Sequence, residues 1–151
     1  MKKLLLICLL ALAPLAQAVE LPYDEHADAK AQVTRALAAG KRAHKPTLLV
    51  FGANWCGDCR ALDKSLHTDK NAALIAQHFE VVKIDVGNFD RNLELSQAYG
   101  DPIQKGIPAA VVVSPDGKLV YTTKAGELAN ARKMSDEGIY DFFAKVAAPT
   151  R

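Results

Sequence analysis

Cysteine is scarce in this chain of 151 residues: Cys8, Cys56 and Cys59 are the full set. That excludes a small disulfide-laced scaffold, which needs several pairs in place of a core. A second Cys-x-x-Cys is missing. His26, His44, His67 and His78 stand at no metal-ligand spacing from one another, so a zinc-finger or zinc-ribbon site is excluded and each histidine reads as a surface residue. An excess of one charge is also missing. Lys plus Arg number 19 and Asp plus Glu 17, which gives no basic footprint for nucleic acid or for an anionic membrane surface. No apolar run reaches the roughly 20 residues that cross a bilayer. Repeats, low-complexity tracts and linkers rich in Pro and Gly are absent, and the length fits one domain.

The amino terminus reads as a targeting segment. Met1-Lys2-Lys3 is a short basic start, Leu4 to Ala13 is almost unbroken in its apolarity, and Ala16-Gln17-Ala18 has the small-x-small form of a cleavage site. The expected division is a signal peptide over 1–18 and one domain over 19–151. A membrane anchor would need a longer apolar run. A lipid-modified Cys8 would need small residues where Leu5-Leu6-Ile7 stand. Cleavage removes Lys2, Lys3 and Cys8 but no acid, so the exported chain is near neutral and keeps Cys56 and Cys59 alone. A bridge between those two closes too small a loop to remove much unfolded-state entropy. A purely structural disulfide is therefore a poor explanation for them.

Hydrophobic periodicity orders the rest. Ala27 to about Ala43 reads as a helix on Val33, Ala36, Leu37 and Gly40. Thr47 to Phe51 is a continuous apolar run, the pattern of a strand buried on both faces. A helix follows to about Ser65–Thr68. Thr68 or Asp69 is placed to cap the next, whose inner face carries Leu74, Ile75 and Phe79. Glu80 to Val86 alternates as a second strand. A polar loop over 87–92 leads to a helix from about Arg91 to Tyr99, capped by Asp90, with Leu93, Leu95 and Ala98 inward. Ala109 to Val113 and Lys118 to Thr123 read as a hairpin around Pro115-Asp116-Gly117. The last helix starts near Ser135-Asp136 and carries Ile139, Phe142, Phe143 and Val146. Ser135 makes an imperfect capping box there, with Gly138 where the reciprocal Glu belongs. A mixed α/β sheet with helices on both faces is the economical packing.

The chemistry concentrates at Phe51-Gly52-Ala53-Asn54-Trp55-Cys56-Gly57-Asp58-Cys59-Arg60, where a buried strand hands over to a helix. Backbone N–H groups without partners and the positive end of the macrodipole meet there. A thiolate at that point is stabilised and becomes a nucleophile near neutral pH. Cys56 is therefore read as the attacking thiol. Cys59, one helical turn on, is read as the resolving thiol, more buried and protonated at rest.

Trp55-Cys56-Gly57-Asp58-Cys59 resembles the active site of the thioredoxin superfamily. Gly106-Ile107-Pro108 ahead of Ala109 to Val113 looks like that fold's cis-proline loop and strand, Ser114 to Lys118 like its hairpin turn, and Lys124 to Leu128 like the turn after its last strand. The resemblance runs in order from about Pro46 to Val146. It implies a thioredoxin-like fold with a central mixed sheet of four to five strands. It implies a thiol–disulfide oxidoreductase whose own dithiol is the redox group, with no organic cofactor and no metal. It makes the bond before Pro108 cis and places that proline opposite the dithiol, with the Ile107 backbone offered to an extended substrate. Trp55, Gly57, Asp58, Ile107 and Pro108 then shape the site.

Three departures from the family pattern stand out. Asp58 occupies the place of the usual proline; its charge should oppose the helix end, disfavour the Cys56 thiolate and make the pair more reducing. The plainer alternative is a first-turn acid satisfying the dipole. Val50 stands where thioredoxins carry a buried acid that assists the resolving thiol, and Lys83, Glu80 or a bound water are the candidate substitutes. Asp101-Pro102-Ile103-Gln104-Lys105 looks inserted, and a solvated loop is preferred for it over a segment that reshapes the substrate groove.

The expected protein is thus a monomeric periplasmic disulfide reductase. Its partners would be disulfide-containing proteins or small disulfides, and a membrane or periplasmic redox protein that recycles the dithiol. It would bind no nucleic acid and carry no stable membrane anchor. One domain argues against a protein isomerase, which needs a further surface to hold clients. The competing reading is a dithiol that captures a metal, as a copper chaperone does.

Overall fold

The structure, a computed structural model, describes residues 21–148. The signal-peptide segment expected over 1–18 lies outside the described residues. Strand β1 (Thr47–Gly52) is the centre of the molecule. It pairs in parallel with β2 (Glu80–Asp85), Thr47 opposite Glu80 and Gly52 opposite Asp85. On its other side it pairs antiparallel with β3 (Ala109–Val113), Phe51 opposite Ala109. β4 (Leu119–Thr122) returns antiparallel to β3 with a register shift at Val112/Val113. Among the described residues the sheet therefore has four strands in the order β2-β1-β3-β4.

All six residues of β1 are buried, because strands flank it on both sides and helices on both faces. That is why its sequence is a continuous apolar run rather than an alternating one. Alternation decides only which layer each side chain joins. Leu49 and Phe51 pack with Val33 and Ala29 of α1 (Ala29–Ala43) and with Ile84 and Val111. Leu48 and Val50 pack with Leu62 and Leu66 of α2 (Gly57–Leu66), Leu74 and Ile75 of α3 (Asp69–His78), and Ile139 and Phe143 of α5 (Asp136–Ala147). Full burial of a side chain of the size of Phe51 or Phe143 contributes about 1.5–3 kcal/mol.

Helix ends follow side-chain caps. α1 begins two residues later than the periodicity suggests, because the Asp28 carboxylate accepts from the Ala31 N–H at 3.0 Å. Ser135 caps α5 by accepting from Gly138 N–H at 3.0 Å, without a reciprocal acid. Thr68 holds the cap position of α3, but its hydroxyl donates to the Ser65 carbonyl instead.

Two expectations are corrected. The fourth helix, α4, is only Leu93–Ala98 and starts from Asn92 in a left-handed conformation (φ 53°). Asp90 does not cap it; its carboxylate accepts from Asn88 N–H at 2.9 Å. In so short a helix Leu95 and Ser96 turn inward and Ala98 is exposed. The segment 101–105 is no solvated loop. It forms a 3₁₀ turn over Pro102–Lys105 that buries Pro102 and Ile103, and Ile103 joins the core with Phe51 and Leu95.

This topology places the site. β1 and β2 run parallel, so both end at the same edge of the sheet. β3 runs against them, so it starts there. The loop that leaves β1, the loop that enters β3 and the loop that leaves β2 all converge at that edge.

Candidate active site

Cys56 occupies the N-cap position of α2, with extended backbone, and its Sγ accepts a hydrogen bond from the Cys59 N–H at 3.1 Å. The sulfur does what a Ser or Asp oxygen does at other helix starts. It lies at the positive end of a ten-residue helix, where negative charge is favoured by about 0.3–1 kcal/mol. Cys56 and Cys59 form a disulfide, with Cα atoms 5.2 Å apart. Cys59 is fully buried and Cys56 only 5% exposed. The bridged Cys56 is thus nearly enclosed, and the Ile107 carbonyl oxygen stands 3.6 Å from its Sγ.

The Ile107–Pro108 peptide bond is cis, as the resemblance implied. The loop before β3 carries it to the dithiol. Trp55 is no core residue. It is 54% exposed, its indole N–H donates to the Gly87 carbonyl at 2.8 Å, and its ring meets Phe89 edge-on at 6.2 Å. Phe89 is itself 43% exposed and has φ 61°, so the loop after β2 holds it out beside Trp55. These two rings form an apolar rim.

Asp58 has a partner that the sequence did not disclose. Its carboxylate accepts from the Arg132 backbone N–H at 2.9 Å and pairs with the Arg132 guanidinium at 3.1 Å. Partial burial pushes the Asp58 carboxyl up, but the Arg132 hydrogen bonds and charge, with Lys133 behind them, hold it below the usual carboxylate range. Arg132 comes from the 3₁₀ turn Ala131–Lys133, which precedes α5. Its side chain lies across Gly57: a Cβ on Gly57 would stand 3.2 Å from Arg132 Cδ and Nη1. A glycine between Cys56 and Asp58 lets the guanidinium cover that turn. Asp58, Ala129, Asn130, Arg132 and Lys133 line a hollow of about 400 Å³ beside the dithiol.

Val50 is buried against Leu62 and Leu66 and holds no proton. Of the substitutes expected from the sequence, Glu80 is excluded by register: it opposes Thr47, at the end of β1 away from the cysteines. Lys83 opposes Val50 but is engaged by the Asp63 carboxylate. Two other polar groups lie at the cysteine end of β1. Asp85 is buried, opposes Gly52, accepts from the Gly87 N–H at 3.2 Å and pairs with Arg91 at 3.3 Å. Tyr23, 3% exposed, enters from the segment before α1 and reaches Gly52. Phe89, Arg132 and Tyr23 carry no local signal, because each arrives from a distant part of the chain.

A family model described as thioredoxin-like matches residues 28–115. The chain belongs to the thioredoxin-like family. A solved disulphide isomerase from Xylella fastidiosa Temecula1 is similar to it at 82% identity over 87% of this chain and 100% of that one, with a TM-score of 0.85. The reduced DsbD C-terminal domain of Neisseria meningitidis shares the fold at 18% identity, covering 77% of this chain and 95% of that one (TM-score 0.55). A probable nucleoredoxin 3 from Oryza sativa subsp. japonica is 36% identical over 96 residues, 49% of this chain. The chain spans 20% of that protein's length. A thioredoxin-like domain with Cys56 and Cys59 at a helix start is the arrangement of a thiol–disulfide oxidoreductase.

Proposed function

We propose that this thioredoxin-like protein is an exported, periplasmic disulfide reductase that acts on protein or small disulfides through Cys56 and Cys59. The observation that carries the reading is the Cys56 sulfur, held as the cap of α2 with the Ile107–Pro108 loop against it.

In the reduced protein the Cys56 thiolate attacks a substrate disulfide. A bond forms from Cys56 to one substrate sulfur, the substrate S–S bond breaks, and the departing sulfur takes the electron pair and a proton from water. Cys59 then gives up its proton and attacks Cys56. The Cys56–Cys59 bond forms and the second substrate thiol leaves. The substrate has gained two electrons and two protons, and a dithiol redox partner in the same compartment restores the pair. Trp55 and Phe89 give the substrate an apolar bed, and the Ile107 backbone pairs with its extended chain. Gly57 admits Arg132. Asp58 opposes the helix end and favours the reducing direction, in a measure that Arg132 limits. The protein works as a monomer, without organic cofactor, metal, nucleic acid or membrane anchor. The amino-terminal segment supports export.

The Xylella relative is a disulphide isomerase and favours a second reading, in which the same first attack ends in disulfide rearrangement. Equilibration with dithiothreitol separates the directions. A reductase should show a potential more negative than about −200 mV, whereas a value near −120 mV marks an oxidant. Refolding of a scrambled substrate without net reduction marks an isomerase. Stoichiometric Cu(I) or zinc on the purified protein, with no turnover of disulfides, marks the metal-capturing alternative.

A further inference from the structure

Tyr23 is a buried titratable side chain with no part in the scheme above. Its backbone is clipped to the active-site loop from both directions. The Tyr23 N–H donates to Asn54 Oδ1 at 3.0 Å, and Asn54 Nδ2 donates back to the Tyr23 carbonyl at 2.8 Å and to Glu25 at 2.9 Å. Asn54 lies two residues before Cys56, so the segment ahead of α1 moves with the dithiol. The ring sits in the same apolar cluster as Cys56, Cys59 and Phe51. The space that a side chain on residue 52 would fill is shared by two groups. A Cβ on Gly52 would overlap Tyr23 Oη and Cζ and would stand 3.0 Å from Cys59 Sγ. The glycine is what lets the phenol and the sulfur approach.

We infer that the Tyr23 hydroxyl donates a hydrogen bond to the Cys59 sulfur in the reduced protein and stabilises the thiolate that resolves the mixed disulfide. The inference rests on the oxidoreductase reading. It answers a need: Cys59 is fully buried, burial disfavours a thiolate, and Val50 offers no acid. Burial first, then the Asp63 and Asp85 carboxylates, push the Tyr23 phenol up, so the hydroxyl stays protonated and serves as a donor, never as a base. The charges around it come from every neighbouring element. Asp63 lies on α2 with Lys83 of β2 against it, Asp85 ends β2 with Arg91 against it, and Glu25 lies across Asn54. The Cys59 proton leaves to water, the Cys56–Cys59 bond forms, and the electron pair departs with the thiol that had been captured. Tyr23 supplies no proton to the balance; it is a positioning residue for Cys59.

The test uses the reduced protein over 19–151 and 5,5′-dithiobis(2-nitrobenzoate), followed by stopped flow from acid to alkaline pH. Attack by Cys56 releases one thionitrobenzoate, and resolution by Cys59 releases the second. Tyr23→Phe should leave the first phase within twofold of wild type. It should slow the second at least tenfold near neutrality and move its midpoint up by about one pH unit, as expected for a thiolate that has lost its donor. A protein with 3-fluorotyrosine in place of Tyr23 keeps the shape and strengthens the donor; its second phase should quicken and its midpoint fall. Equal second phases in both variants and wild type, or both phases of Tyr23→Phe falling together, overturn the inference. A wild-type protein that releases a single equivalent overturns instead the dithiol reading beneath it.

Discussion

Replacing Arg132 by Gln strips the cation bonded to Asp58 and leaves the carboxylate in the first turn of α2. The guanidinium lies over Gly57 and 3.1 Å from the Asp58 carboxylate, yet its side chain is 66% exposed. Water therefore screens the pair, and the effect belongs to the scale of exposed ion pairs and helix ends, about 0.5–1 kcal/mol. Spread onto the neighbouring sulfur, that raises the Cys56 pKa by at most about 0.7 unit. The reduced form loses the same amount, so the potential becomes more negative by about 10–20 mV. Asp58→Asn should shift both quantities the opposite way, and the double variant should return close to wild type, because the two charges oppose each other. The assays are the pH dependence of Cys56 alkylation and equilibration with dithiothreitol. A Cys56 pKa that is unchanged or lower in Arg132→Gln refutes the electrostatic account. A double variant that stays as far from wild type as Arg132→Gln alone would do the same.

The remaining expectations are simpler to read. Gly52→Ala forces a methyl into Tyr23 and against Cys59, and should cost about 1–3 kcal/mol in urea unfolding; a neutral result removes the close approach of those groups. Trp55→Ala and Phe89→Ala should raise KM for a protein disulfide severalfold while leaving reaction with a small disulfide almost unchanged, since they remove the rim and not the dithiol. The Asp58 carboxyl is held below its usual pKa in the folded protein. Its pairing therefore stabilises the fold above about pH 4 and loses that effect as pH falls through the depressed value. The stability gap between wild type and Asp58→Asn should accordingly close in acid, as chemical denaturation at several pH values will show.

Local patterns in the sequence disclose the parts of this molecule that depend on neighbours in sequence. β1 is legible because a strand covered on both faces must be apolar throughout, and Cys56 because a strand-to-helix handover has its own composition. Element ends are less so: α1 starts where the Asp28 side chain bonds, and α4 is short because Asn92 takes a left-handed turn. Ile103 is hidden in a polar stretch, and nothing nearby shows that the core has room for it. Arg132 reaches a site 74 residues away in the chain, and Phe89 sits in a loop that reads as polar. Tyr23 is joined to Asn54 across 31 residues. Such pairings exist only once the sheet has brought the loops to one edge, so no window of sequence contains them.

The most direct measurement is capture of the covalent intermediate. Reduced Cys59→Ser should accumulate a mixed disulfide with a protein substrate, bonded at residue 56 alone when mapped by mass spectrometry, and Cys56→Ser should accumulate none. A bond to the substrate at Cys59, or equal trapping by both variants, would contradict the assignment of Cys56 at the head of α2 as the attacking sulfur.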